Sequence, residues 1–261
     1  MLLAIDVGNT NMVIGVYSQG DKPRLLQHWR METKKERTSD EFGIFFKELF
    51  QFAGLNLDGV EAIIISNVVP QLEFNLVRMC ERYFKLKPLF VGPRLKMPIK
   101  IGLKHPGEVG ADRIVNGVAG VMKYGSPLIV VDFGTATTFD FINKAKVYKG
   151  GCICPGIAIS NDALFQHASK LPRVEIRKPK HIIGSNTVES IQAGIFYGYV
   201  GMVDEIVRRI QREAKVKCKV VATGGFIGLI SKASQTISSF DPYLTLEGLR
   251  HLYEFNRKRK K

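Results

Sequence analysis

Several familiar signatures are missing from these 261 residues. No apolar run reaches about 18 residues, so no membrane-spanning helix is expected. Cysteine is sparse, at four. Only Cys152 and Cys154 are close, and C-x-C without a second ligand pair is a poor zinc pattern. Reduced thiols in a cytoplasmic protein are the expectation. The five histidines (His28, His105, His167, His181, His251) form no i, i+4 pair. The Walker-A pattern GxxxxGK[ST], the dinucleotide fingerprint G-x-G-x-x-G and the protein-kinase signatures are absent. No zinc finger or RNP-type aromatic pattern supports nucleic-acid binding. The first residues lack a basic segment and a cleavage site, so no secretory signal is expected.

What is present is 45% hydrophobic residues, enough for a large core, and a formal net charge of +14. Part of that charge is the tail Arg257-Lys258-Arg259-Lys260-Lys261, which reads as a solvated end. The rest is scattered, as in Lys34-Lys35 and Arg208-Arg209. A basic balance favours anionic partners, nucleotide phosphate among them.

The stretch 1–15, MLLAIDVGNTNMVIG, reads as strand, tight turn, strand, with Asp6 at the strand end. Gly8 permits close approach, and the turn offers backbone N–H groups and small polar side chains. It could cradle phosphate, with Asp6 holding a metal ion; an ordinary Asn-Thr hairpin would read the same way. A further strand is expected over 23–31. A helix follows to about Ala53, capped by Ser39 or Asp40, with Phe42, Phe45, Phe46, Leu49 and Phe50 on its core face. Strands are expected at 60–66 and 88–91, with a helix between them from Pro70 to about Phe84. Beyond an irregular stretch, a helix runs from Asp112 to about Lys123. Strands follow at 128–132, 139–142, 145–153 and 219–222. Helices are expected at about 157–169, 188–215 and 244–255.

The chain repeats its opening. Leu3 to Asn11 aligns with Ile129 to Thr137, each an apolar strand, D-x-G and a hydroxyl-rich turn, with Asp6 and Asp132 126 positions apart. Two similar α/β halves facing each other across a cleft are the economical reading. Such an arrangement suits phosphoryl transfer, which needs backbone donors, charge neutralisation and a base for the acceptor hydroxyl.

DVGNTN (6–11), GEVGADR (107–113), DFGTATT (132–138) and TGGF (223–226) come in the order seen in type III pantothenate kinases, which the chain resembles over nearly its whole length. That family belongs to the acetate and sugar kinase, Hsp70 and actin superfamily. The resemblance implies a duplicated ribonuclease-H-like α/β fold with a central cleft, the halves falling at residues 1–113 and 114–261. It implies ATP-dependent phosphorylation of pantothenate, the first step towards coenzyme A, with Mg²⁺ and a monovalent cation (K⁺ or NH₄⁺) in a homodimer. By the same route Asp112 is the general base, and Gly110, Ala111, Asp112, Arg113 and Thr187 contact pantothenate. Asp6, Val7, Gly8, Asn9, Thr10, Asn11, Met12 and Val13 hold ATP phosphates, with Asp6 near Mg²⁺. Asp132 ligates the monovalent cation and Thr135 contacts ATP. Asn186 or Thr187 could equally cap the helix that follows. One departure stands out: Leu103 occupies the place of a pantothenate-contacting tyrosine, with Lys104 and His105 beside it. Two alternatives remain. One is a kinase for another small hydroxyl compound; the other is a regulator like the Bvg accessory factor, which shares the family.

Overall fold

The computed structural model describes residues 1–20, 22–92 and 95–257; positions 258–261 of the basic tail lie outside them. Strands β1 (Leu2–Val7), β2 (Asn11–Tyr17) and β3 (Leu25–Glu32) form an antiparallel meander. Leu2, Leu3, Ala4 and Ile5 are all buried, the continuous apolar run of a strand covered on both faces. Helix α1 (Ser39–Phe52) returns the chain to β4 (Ala62–Asn67), which pairs parallel with β1. Helix α2 (Glu73–Met79) and a π-helical turn, Cys80–Phe84, lead to β5 (Leu89–Phe90), parallel to β4. The five-stranded sheet has the order β3-β2-β1-β4-β5.

Neither Ser39 nor Asp40 caps α1. Thr38 does, through a reciprocal capping box: its hydroxyl accepts from the Glu41 N–H and the Glu41 carboxylate accepts from the Thr38 N–H at 2.8 Å. T-x-x-E satisfies two orphan donors at once, which a lone Ser or Asp cannot. Phe42, Phe46 and Phe50 of α1 are in the core with β1, β2 and β4. Phe45 is instead 40% exposed, with the Arg37 guanidinium 4.6 Å from its ring centroid, a cation–π contact.

The remaining elements are β6 (Lys100–Ile101), α3 (Ala111–Tyr124), β7 (Leu128–Phe133), β8 (Ala136–Ile142), β9 (Val147–Pro155), α4 (Ile157–His167), α5 (Thr187–Glu213), β10 (Lys219–Gly224), α6 (Ile227–Ile230), β11 (Ser239–Phe240) and α7 (Leu244–Arg257). The six-stranded sheet has the order β11-β10-β7-β8-β9-β6. Read from β9, this repeats the first sheet strand for strand, with β6 added at the edge. The match extends to burial: β1 and β7 bury every residue except the aspartate at the fifth position, Asp6 in one and Asp132 in the other. The chain has the duplicated ribonuclease-H-like α/β fold expected of it.

The chain divides into two compact units. Among the described residues, the first takes those of Met1–Pro98 and Lys104–Ala119 and those from Thr245 to Arg257; the second takes Ile99–Leu103 and Gly120–Leu244. A single cut after residue 113 does not reproduce this division, for two local reasons. Helix α7 packs within the first unit, where a Cβ on Gly15 would come 2.9 Å from Leu246 Cδ1. Residues 99–103 contain β6, which pairs with β9 in the second unit.

Candidate active site

In the first unit, Asp6 is flanked in register by Val13 on β2 and Ser66 on β4. The turn after β1 is closed by the Gly8 N–H donating to Asn11 O at 3.0 Å. Thr33, just beyond β3, donates its hydroxyl to Gly8 O at 2.7 Å and its N–H to Thr10 O at 3.0 Å. Those bonds pin the carbonyl side of the turn, the side an anion would avoid. The end of β4 is fixed likewise: the Val68 N–H donates to Val7 O at 3.0 Å and Asn67 Oδ1 accepts from the Val69 N–H at 2.9 Å.

Gly110 opens α3, its carbonyl accepting from the Ile114 N–H. Asp112 lies within the first helical turn, and its Oδ1 accepts from the Arg113 N–H at 2.8 Å. A Cβ on Gly110 would come 2.5 Å from Asp112 Oδ1 and 3.8 Å from Val68 Cγ1. The carboxylate therefore folds over a bare glycine near the end of β4. Burial pushes the Asp112 pKa above the ordinary carboxylate value, against the opposing pull of the Arg113 N–H and charge. Ala111, Asp112 and Arg113 nonetheless keep part of their surface in solvent. A dehydrated, reachable carboxylate is what a general base requires.

In the second unit, Asp132 is flanked in register by Thr138 on β8 and Thr223 on β10. Gly224 has φ +95°, and a Cβ there would lie 2.6 Å from both Asp132 Oδ1 and Phe133 O. Thr223-Gly224-Gly225 is thus shaped around Asp132, and the Gly225 N–H donates to Phe133 O at 3.0 Å. Thr135 is exposed, and its carbonyl accepts from the N–H of Gly156, the residue preceding α4.

Asn186 caps α5, its side chain accepting from the Glu189 N–H at 3.0 Å, so Thr187 stands exposed in the first turn without capping duty. Leu103 is partly buried against bare Gly150, where a Cβ would meet its Cδ2 at 3.2 Å; Lys104 and His105 are exposed. The structure gathers Asp6 to Val13 and Gly110 to Arg113 in the first unit. It keeps Asp132, Thr135, Thr187 and Leu103 in the second. Thr33 and Ser66 escape sequence reasoning. Ser66 had a faint signal, a hydroxyl ending the β4 apolar run where Asp6 nearly ends β1.

Among the described residues no group of three or more His, Cys, Asp or Glu could hold a metal. Single carboxylates beside polar turns remain. They fit Mg²⁺ held partly by substrate phosphates, which needs only one or two protein carboxylates. A further mark of fit is Ser66 Oγ, buried beside the Asp6 position with no hydrogen-bond partner among the described residues.

The profile of the type III pantothenate kinase family matches residues 2–209. The chain belongs to this family. Membership of this kinase family makes the chain an ATP-dependent phosphotransferase. A Campylobacter jejuni protein described as a conserved Baf family transcriptional activator shares the fold at TM-score 0.63 and 18% identity, over 98% of this chain and 99% of that one. The activator of 2-hydroxyisocaproyl-CoA dehydratase from Clostridium difficile, solved with ADPNP, matches at TM-score 0.55 and 10% identity, over 99% and 96%. Component A of the (R)-2-hydroxyglutaryl-CoA dehydratase of Acidaminococcus fermentans matches at 0.56 and 12%, over 99% and 98%. At such identities these likenesses establish the fold. No helix among the described residues is long and apolar enough to cross a membrane.

Proposed function

We propose that this pantothenate kinase family member transfers the γ-phosphoryl group of ATP to the terminal hydroxyl of pantothenate, giving 4'-phosphopantothenate in the first step towards coenzyme A. The observation that carries the reading is the Asp112 carboxylate, folded over Gly110 with its pKa raised by burial. Asp112 takes the hydroxyl proton as the phosphoryl group departs, and Arg113 meets developing negative charge. Gly110, Ala111 and exposed Thr187 position the acceptor. The Asp6 to Val13 turn, pinned by Thr33, binds the polyphosphate, and Asp6 would hold Mg²⁺. Asp132 holds K⁺ or NH₄⁺, and Thr135 contacts ATP. The cations, when bound, neutralise phosphate charge. The nucleotide in the C. difficile relative's structure supports the ATP assignment.

The reading includes a cytoplasmic homodimer. Gly194, Gly198 and Gly201 on α5 have open space where side chains would stand, which supports close approach of a second copy.

A coupled ADP-release assay with pantothenate, ATP, Mg²⁺ and K⁺ tests the reading. Asp112→Asn is expected to lower kcat by about 10²–10⁴ while ATP binding persists. ADP release that needs a different hydroxyl compound would leave the kinase and remove the substrate; Leu103, apolar where a phenol is expected, motivates including a panel of acceptors. Salt-sensitive DNA binding without ATP turnover would instead favour the regulator.

A further inference from the structure

Arg37 is buried, at 7% exposure, and makes no ion pair among the described residues. Its guanidinium lies over the rings of Phe45 and Phe42, 4.6 and 5.5 Å from their centroids. Its Nη1 donates to Glu32 O at 3.4 Å, with the Met31 sulfur 3.9 Å away. Aromatic faces and one carbonyl offset only part of the cost of drying a cation. An apolar side chain of similar volume would pack as well or better, so stability alone does not account for an arginine here. The carbonyl it holds explains more. Glu32 C=O and Thr33 N–H belong to one rigid, planar peptide group. The amide end of that group donates to Thr10 O at 3.0 Å, and the Thr33 hydroxyl donates to Gly8 O at 2.7 Å. One peptide is thus held at its carbonyl by Arg37 and at its amide by the turn after β1. A donor on the carbonyl polarises the group and strengthens the bond that its N–H makes. The backbone of Arg37 is anchored as well: its N–H donates to Lys34 O at 3.2 Å, and Asn75 Nδ2 on α2 donates to its carbonyl at 3.1 Å. Segment 33–37 is a strap, fastened to the turn at one end and to α1 and α2 at the other, all within the first unit.

We propose that Arg37 is a positioning residue for the nucleotide-phosphate turn: by fixing the Glu32–Thr33 peptide it keeps Thr33 bonded to Gly8 and Thr10, and so holds the turn in the shape that receives phosphate. This rests on the assignment of the Asp6 to Val13 turn to the phosphates of ATP. Arg37→Met keeps the contact with the two rings and removes the donor, so its Tm is expected to hold. Exchange of the Thr33 amide is expected to quicken about tenfold, and Mg²⁺·ADP binding to weaken about three- to tenfold. Arg37→Lys, which keeps a donor on a long stem, is expected to recover most of both.

The test is hydrogen exchange of the Thr33 amide by NMR and calorimetric titration with Mg²⁺·ADP. It uses full-length wild type, Arg37→Met, Arg37→Lys, Thr33→Val, the Arg37→Met/Thr33→Val double variant and Asp6→Asn, with thermal unfolding of each. Support is faster Thr33 exchange and weaker binding in Arg37→Met at a steady Tm, rescued by Arg37→Lys, with Thr33→Val costing less in the Arg37→Met background than in wild type. Unchanged Thr33 exchange in Arg37→Met overturns the proposal. So does strict additivity of the two substitutions, or weakened binding that tracks a falling Tm without rescue. If wild type binds no Mg²⁺·ADP, or Asp6→Asn and Thr33→Val both bind it like wild type, the phosphate assignment of the turn has failed. The role of Arg37 in nucleotide binding then falls with it, and Thr33 exchange still shows whether Arg37 holds the peptide.

Discussion

Asp112, the proposed base, shows how surroundings can fit a single residue for a chemical role. Any aspartate in the first turn of a helix is favoured by the helix dipole. What sets this one apart is burial, which holds its pKa up, and the bare Gly110 beneath its carboxylate. A base must be deprotonated, so activity should fall as pH drops through this raised pKa. The acid limb of kcat/KM should lie above the ordinary carboxylate range, measurable in a pH–rate profile. The stability linkage has the opposite sign from the usual carboxylate. The folded state binds this proton more readily than the unfolded chain, so ionised Asp112 detracts from stability at neutral pH. Asp112→Asn should therefore raise Tm while it slows transfer, a pairing that calorimetry and the kinase assay would reveal together. GADR was legible as a motif. The overlap that Gly110 avoids was not, since it depends on where α3 begins relative to β4.

Helix α5 and the segment after β10 are joined through Asp204. Its carboxylate accepts from the hydroxyls of Ser234 and Thr236 and from the N–H groups of Gln235 and Thr236. Burial alone would raise its pKa, but these bonds together hold it below the ordinary value. Its stabilising effect is complete above the usual carboxylate range and is lost as pH falls through the lowered folded value. Asp204→Asn should cost about 2 kcal/mol at neutral pH and flatten the acid side of a urea-midpoint profile. At the end of β10, Gly224→Ala should cost about 1–3 kcal/mol through its positive φ and also displace Asp132, visible as altered K⁺ dependence. Strands β1, β4, β7 and β10 were readable because each is a buried apolar run bounded by polar turns. The T-x-x-E cap of α1 is hard to pick out in sequence because Ser39 and Asp40, both good caps, follow Thr38 directly. The π-helical turn at Cys80–Phe84 has no sequence signal that periodicity could detect.

At the scale of the molecule, the duplication seen as two D-x-G turns became two sheets of the same strand order, down to the burial of β1 and β7. Repetition in sequence foretold repetition in topology; it did not foretell that the first unit is assembled from separated stretches. Gly248 of α7 lies so close to α3 that a Cβ would stand 2.3 Å from Val115 O, and Tyr17 of β2 donates to Glu247 at 3.3 Å. Removing residues from 244 onward should expose the β2 face and lower the unfolding midpoint of the first unit, detectable as faster amide exchange in β1 and β2. On the ribosome this has a consequence for timing. Chains emerge from the N-terminus and fold by unit as they lengthen. The second unit, complete by Leu244, has all its residues before the first does. Strand β1 must wait for helix α7, and Asp6 is finally seated only after the second unit has been made.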